Sequence, residues 1–238
     1  TVLWDSGVVA SNATLGVRCG TDLASDEEYT LSVTWADHTG AWAPPASSPF
    51  ATALLDSSDW EGTRWFTLPN LGNGTVLDHR NQFRGTFVLP GGAKVQRGTC
   101  FIAGLGYHRS SLNGYMLGHP DSTLGSITQF QRRIAYDTFD VTSLLHPGNN
   151  TLAVLLGRGF YALSRDDYTG VLGFPPHGLG ARAVRALCRV SLVDSDGGGV
   201  LRYGTGLGPS TWRHAAGELV ADHLYFGETI GMTLQAVG

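Results

Sequence analysis

The chain has 238 residues, 42% hydrophobic and 15% charged, with a formal net charge of −4. It is long enough to bury a core in one large domain or two ordinary ones, and the balance is that of a soluble globular protein. The charge gives no electrostatic case for nucleic acid or an anionic membrane surface, and no apolar run approaches the ~20 residues that span a bilayer.

Thirty-three glycines and ten prolines, spread between short apolar runs, are what an all-β chain with many turns requires. Fifteen Arg stand against a single Lys, Lys94, a bias that a GC-rich genome produces. The amino end, TVLWDSGVV, lacks the basic start and long apolar centre of a signal peptide, so a secretory leader would lie outside this sequence.

In chain order, residues 1–55 form a first unit. TVLWDSGVVAS predicts a strand and turn. EEYTLSVTWAD is an alternating strand with Tyr29, Leu31, Val33 and Trp35 on one face, and SSPFATALL is a third. Such an aromatic face reads as core rather than as a ligand platform. Residues 56–80 read as a connector through Asp59-Trp60, Trp65-Phe66 and the loop Pro69–Gly74. The second unit, residues 81–238, opens with the strand QFRGTFVLPGG. FIAGLGY follows, then SLNGYMLG hinged on Asn113-Gly114, whose two residues tolerate the positive φ of a type I′ hairpin turn. RRIAYDTFDV predicts another strand. His146-Pro147-Gly148-Asn149-Asn150 is a reversal before the buried strand Thr151–Leu156. RALCRVSLVDSDGGGVLRYG is a hairpin with a glycine-rich tip, and STWRHAAGELV is a strand and turn.

Three cysteines, Cys19, Cys100 and Cys188, fall in no Cys/His metal spacing. Cys100 and Cys188 both lie in predicted strands of the second unit. If oxidised they pair with each other and leave Cys19 free or joined to another chain; the alternative is three buried thiols. Sequons stand at Asn12, Asn73 and Asn149, each in a predicted turn or loop where a glycan is tolerated, and they point to an extracellular, secreted protein unless they arise by chance.

No motif pairs two carboxylates as glycoside hydrolysis needs. Asp194-Ser-Asp196-Gly197 has the opening oxygens of a calcium loop, but no downstream acid completes it, and a solvated hairpin tip is favoured. Asp166-Asp167 reads as a surface loop. The glycines at 204, 206 and 208 open no helix and read as a turn rather than a phosphate loop.

The order of AGLGY (103–107), LNG (112–114), Arg133, Tyr136, Thr138 and Asp140 in RRIAYDTFDVT, PGNN (147–150) and LGRGFY (156–161) resembles the non-catalytic β-sandwich that precedes the catalytic domain of bacterial-type α-L-rhamnosidases. Residues 1–55 resemble the fibronectin type III-like domain that opens many of these enzymes, entered after its first two strands. The resemblance implies an all-β chain: an incomplete fibronectin type III-like sandwich followed by a jelly-roll-like sandwich. It further implies that another segment, from a longer polypeptide or a neighbouring subunit, completes the first domain, and that the family's catalytic acids lie outside this chain. Some members use the second sandwich as a calcium-dependent rhamnose-binding module, so the resemblance admits calcium; no other cofactor is called for. The matched polar positions for carbohydrate are Asn113, Arg133, Tyr136 and Asp140, although Asn113 is also a turn former and Asp140 a candidate cap. The chain departs from the family pattern at Gly118-His119, at Ile127 and Gln129 where Trp and Asp are usual, and at Ile230-Gly231. Two readings follow: an accessory or carbohydrate-binding region of an α-L-rhamnosidase-like protein, or a structural, adhesive extracellular glycoprotein that reuses the scaffold.

Overall fold

The computed structural model describes residues 1–13, 15–67, 81–119, 125, 127–162, 182–193, 199–208, 210–223 and 227–231. It is all-β and divides into two units, Thr1–Glu61 and Gly62–Gly238.

In the first unit β1 (Glu28–Val33) pairs antiparallel with β2 (Ala46–Ala51). Tyr29 stands opposite Phe50, and their rings stack at 5.7 Å. The hairpin continues to a single bridge between Ala36 and Trp42. Asp37 holds the turn between them: its Oδ1 accepts from the Thr39 N–H and hydroxyl and from the Ala41 N–H. The expected strand in residues 1–11 is not formed. A strand persists only on a ladder partner, and among the described residues β1 and β2 pair with each other alone. The expected core face is correspondingly open: Leu31, Val33 and Trp35 are 53%, 50% and 64% exposed. A 3₁₀ helix, Ser57–Trp60, closes the unit with a capping box between Asp56 and Asp59, and Ser25 donates to Asp59 at 2.5 Å.

The second unit is a sandwich of two five-stranded antiparallel sheets. One has the order β11 (Gly199–Gly204), β10 (Ala183–Val193), β5 (Lys94–Gly104), β8 (Asp137–Asp140), with β3 (Phe66–Thr67) added beside the start of β10. That last pairing ties part of the sequence-predicted connector into the sandwich. The other runs β12 (Thr211–Ala215), β4 (Gln82–Leu89), β9 (Gly148–Leu156), β6 (His108–Leu112), β7 (Tyr115–Met116). A separate hairpin joins β13 (Leu219–His223) to β14 (Gly227–Ile230).

Alternation explains the core. In β4 the buried positions are Phe83, Gly85, Phe87 and Leu89; in β9 they are Asn150, Leu152, Val154 and Leu156. They meet Cys100, Ile102, Val184, Ala186, Cys188 and Val190 from the opposite sheet. A fully buried side chain of this kind stabilises by about 1.5–3 kcal/mol. Cys100 and Cys188 face each other in the β5–β10 register and are joined by a disulfide, with Cα atoms 4.1 Å apart; Cys19 is free and exposed.

The β6–β7 turn has Asn113 at φ 52° and Gly114 at φ 86°, both in the left-handed region that a type I′ turn demands. RRIAYDTFDV departs from its expected form. Only Asp137–Asp140 joins the ladder with β5, while the N–H groups of Arg132 and Arg133 both donate to Gln129 O and wind the preceding residues into a turn.

Candidate functional site at one end of the sandwich

At the end where β5 and β9 finish and β6 and β10 begin, two glycine-rich segments cross: AGLGY (103–107) and LGRGFY (156–161). Gly157 N donates to Tyr107 O at 2.7 Å. The approach leaves no room for side chains: a Cβ on Gly106, whose φ is +135°, would lie 2.1 Å from Gly157 O.

Two polar clusters pin this crossing. In the first, Asp222 Oδ2 accepts the Arg158 N–H, while its Oδ1 lies 3.9 Å from Arg158 Nε and 3.7 Å from Arg182 Nη1. Arg182 Nη1 also donates to Leu156 O at 3.2 Å. In the second, buried His108 links Ser110 Oγ at 3.0 Å through Nδ1 to Asp137 Oδ2 at 3.1 Å through Nε2, and the Gly125 N–H also donates to Asp137. Ser, His and Asp thus stand in line, but Ser110 is 1% exposed and admits no substrate, so the chain of bonds acts as an internal strut. Sequence reasoning missed both clusters. Their only sequence signal is a polar residue at an inward strand position, as at His108 and Ser110.

Half-buried aromatic rings edge the same end. Tyr107 meets Phe160 edge-on at 6.5 Å, Phe130 meets Tyr161 edge-on at 5.2 Å, and Tyr136 packs edge-on to Phe101 at 6.0 Å. Arg133 is exposed in the turn that holds Phe130.

The four sequence-predicted carbohydrate residues are not brought together. Arg133 and Tyr136 precede β8 at this end, whereas Asp140 closes β8 opposite Thr99, midway along β5, and Asn113 lies at the other end, where β6 finishes. The Asn113 amide is wholly engaged in the fold: Nδ2 donates to Leu144 O and Asn150 Oδ1, each at 2.8 Å, and Oδ1 accepts the Thr151 N–H. Asp140 caps the 3₁₀ turn Thr142–Leu144 through the Thr142 N–H and hydroxyl. Its carboxyl is held below the usual value mainly by the Thr142 hydroxyl, then by the Thr142 N–H, with Arg97 adding charge. Asn12 and Asn149 are exposed, while Asn73, Asp166, Asp167, Asp194 and Asp196 lie outside the described residues.

The described residues gather no carboxylate cluster of the kind that holds calcium. No three His, Cys, Asp or Glu side chains converge there. Ile127 and Gln129 supply no anionic oxygen, and Asp137 and Asp222 already face cationic or N–H partners.

The fold and its glycine crossing define a two-sheet antiparallel β-module. Residues 93–238 match the model of the α-L-rhamnosidase N-terminal domain, and the chain belongs to that family. Among curated relatives it is 30% identical to an α-L-rhamnosidase of Streptomyces avermitilis, over 97% of this chain and 22% of that protein. It is 25% identical to one from Formosa agariphila, over 95% of this chain and 25% of that protein. The chain therefore spans about a quarter of the length of the relatives it matches. Among solved structures, the α-L-rhamnosidase of Dictyoglomus thermophilum superposes with a TM-score of 0.74 at 22% identity, over 94% of this chain and 24% of that one. The enzyme from Aspergillus terreus gives 0.68 at 23% identity, over 87% of this chain and 23% of that one. These two likenesses concern the fold.

Proposed function

We propose that this chain is a non-catalytic accessory region of an α-L-rhamnosidase, and that it contacts carbohydrate at the glycine-crossing end of its sandwich. The observation that carries the reading is the family match to the N-terminal domain over residues 93–238, in a chain spanning only about a quarter of its relatives. The chemistry agrees. Glycoside hydrolysis needs one carboxyl kept protonated and another ionised across the scissile bond. The carboxylate shifts resolved here, at Asp37, Asp56, Asp59 and Asp140, all run downward, and the inward Asp137 and Asp222 serve as struts.

Sugar recognition asks for apolar ring faces beside a few polar groups. Arg133, with the half-buried rings of Phe130, Tyr136 and Tyr161, offers that combination; Asn113 and Asp140 stand apart from it. We further propose an extracellular protein with glycans on the exposed Asn12 and Asn149, to be checked by an endoglycosidase mobility shift after expression in a secretory host.

Two measurements test the main reading. The purified chain should release nothing from an aryl α-L-rhamnoside, and turnover abolished by a single Asp or Glu substitution within it would sink the non-catalytic assignment. In titration calorimetry with L-rhamnose, Arg133→Ala should weaken binding by about tenfold, an Arg hydrogen-bonding contribution of ~1.4 kcal/mol, while Asp140→Asn leaves it unchanged. Equal losses in the two variants would refute the siting.

A further inference from the structure

The two units carry opposite charge. Residues 1–61 hold one basic residue, Arg18, against nine Asp and Glu, a net of −8; residues 62–238 hold fifteen basic against eleven acidic, a net of +4, and the two give the −4 of the whole chain. The sandwich is thus basic inside an acidic protein, and part of that charge is gathered on one surface.

The outer face of the sheet β12-β4-β9-β6 carries three exposed arginines, Arg213, Arg84 and Arg109. Arg84 stands directly opposite Arg213 in the β4–β12 register. On the other side Arg84 faces Ala153, and two positions along Gln82 faces Leu155, which faces Arg109. With strands ~4.8 Å apart and a rise of ~3.4 Å per residue, Arg109 lies roughly 12 Å from Arg84, measured at the backbone. No outward position of these four strands is Asp or Glu. Among the described residues, the three guanidinium groups have neither an ion pair nor a side-chain hydrogen bond. Like charges directly opposite on a sheet are destabilising. A face that keeps them, with no acid at the outward positions of its four strands, is one an anionic partner would relieve.

We propose that this face binds an acidic polysaccharide, a polymer bearing repeated uronate carboxylates, laid across the strands. The guanidinium fork matches a carboxylate in two parallel hydrogen bonds. The surface is an open sheet face, which suits an extended chain rather than a small molecule held in a pocket. No aromatic side chain points outward from the four strands, so the face lacks the stacking platforms on which single-stranded nucleic acid is held. The site is independent of the sugar contact proposed at Arg133, which lies in a turn outside this sheet.

The test is affinity electrophoresis and calorimetry of the full 238-residue chain with polygalacturonate, neutral dextran and an oligothymidylate of matched charge, at two salt concentrations. Expected are retention by polygalacturonate that falls with salt, none by dextran, and weaker retention by the oligonucleotide. Combining R84Q, R109Q and R213Q should cut polygalacturonate affinity roughly ten- to hundredfold, from three exposed charge pairs, with the circular dichroism spectrum unchanged. Arg133→Ala should leave that affinity as it was, which separates failure here from failure of the rhamnose site. The proposal is overturned by undiminished retention in the triple variant, by equal retention of the oligonucleotide, or by a salt-sensitive self-association of the chain with no polygalacturonate binding.

Discussion

At the scale of single residues, Asn113 carries more of the structure than its place in a hairpin tip suggests. It takes the positive φ of the turn, and its amide bridges β6, the start of β9 and the 3₁₀ turn at Leu144. Asn113→Ala leaves the Thr151 N–H and Leu144 O short of a partner and places an alanine in the left-handed region, so it should cost about 2–4 kcal/mol in urea unfolding. Asn113→Gly restores the conformation alone and should recover part of that loss. Asp140 bears a pH signature. Its folded value lies below the ordinary 3.8, chiefly through the Thr142 hydroxyl. A depressed carboxylate contributes stability that is complete above the unfolded value and is lost as the pH falls through the folded one. Asp140→Asn should therefore flatten the acid side of the stability profile below about pH 4 and leave its shape near neutrality unaltered, read from urea midpoints across that range.

At the scale of elements, the disulfide joins strands 88 residues apart in sequence at directly opposed positions. Closing a loop of that length restricts the unfolded chain by about 4 kcal/mol in the loop-entropy account. The Cys100→Ala, Cys188→Ala double variant should keep its far-ultraviolet spectrum and unfold at a lower guanidinium concentration by that amount; an unchanged midpoint would show that the bond contributes nothing net. Around it, β4, β9 and β6 are readable from alternation alone, because one face of each is core and the other water. β5 and β10 are harder to read. Residues on both faces are buried over Gly98–Gly104 and Val184–Leu187, apart from Arg185, so the run is continuous rather than alternating.

At the scale of the whole molecule, the first unit's hairpin leaves apolar side chains exposed: Leu31, Val33 and Trp35 lie on or beside two strands that, among the described residues, pair with each other alone. Each forgoes about 2 kcal/mol of burial, and exposed faces and edges of this kind recruit partners. Our reading is that another segment, from a longer polypeptide or a neighbouring subunit, completes this unit. Leu31→Ser with Val33→Ser should lower binding of a hydrophobic dye while leaving the sandwich's melting temperature in place. A longer polypeptide that includes this region should move Trp35 fluorescence to shorter wavelength; emission unchanged by added chain would contradict the completion.

The sequence by itself carried the all-β class, the Asn113-Gly114 reversal and the family, because these rest on local chemistry: period-two alternation, residues that tolerate positive φ, and ordered short motifs. It also marked residues 31, 33 and 35 as one apolar face, without showing what, if anything, lies against it. Only the tertiary structure decided which polar residues meet. Asn113, Arg133, Tyr136 and Asp140 are near in sequence but are held apart, since β8 carries the chain from Tyr136 to Asp140, opposite Thr99 midway along β5, while Asn113 lies at the far end of β6. His108 and Asp137, or Arg158 and Asp222, are distant in sequence yet joined, because strand pairing brings together residues whose separation along the chain carries no signal of contact. The arginine face is of the same kind. Arg84, Arg109 and Arg213 become one surface through strand order and register, which are set by core packing and long-range ladders rather than by any of the three segments that supply them.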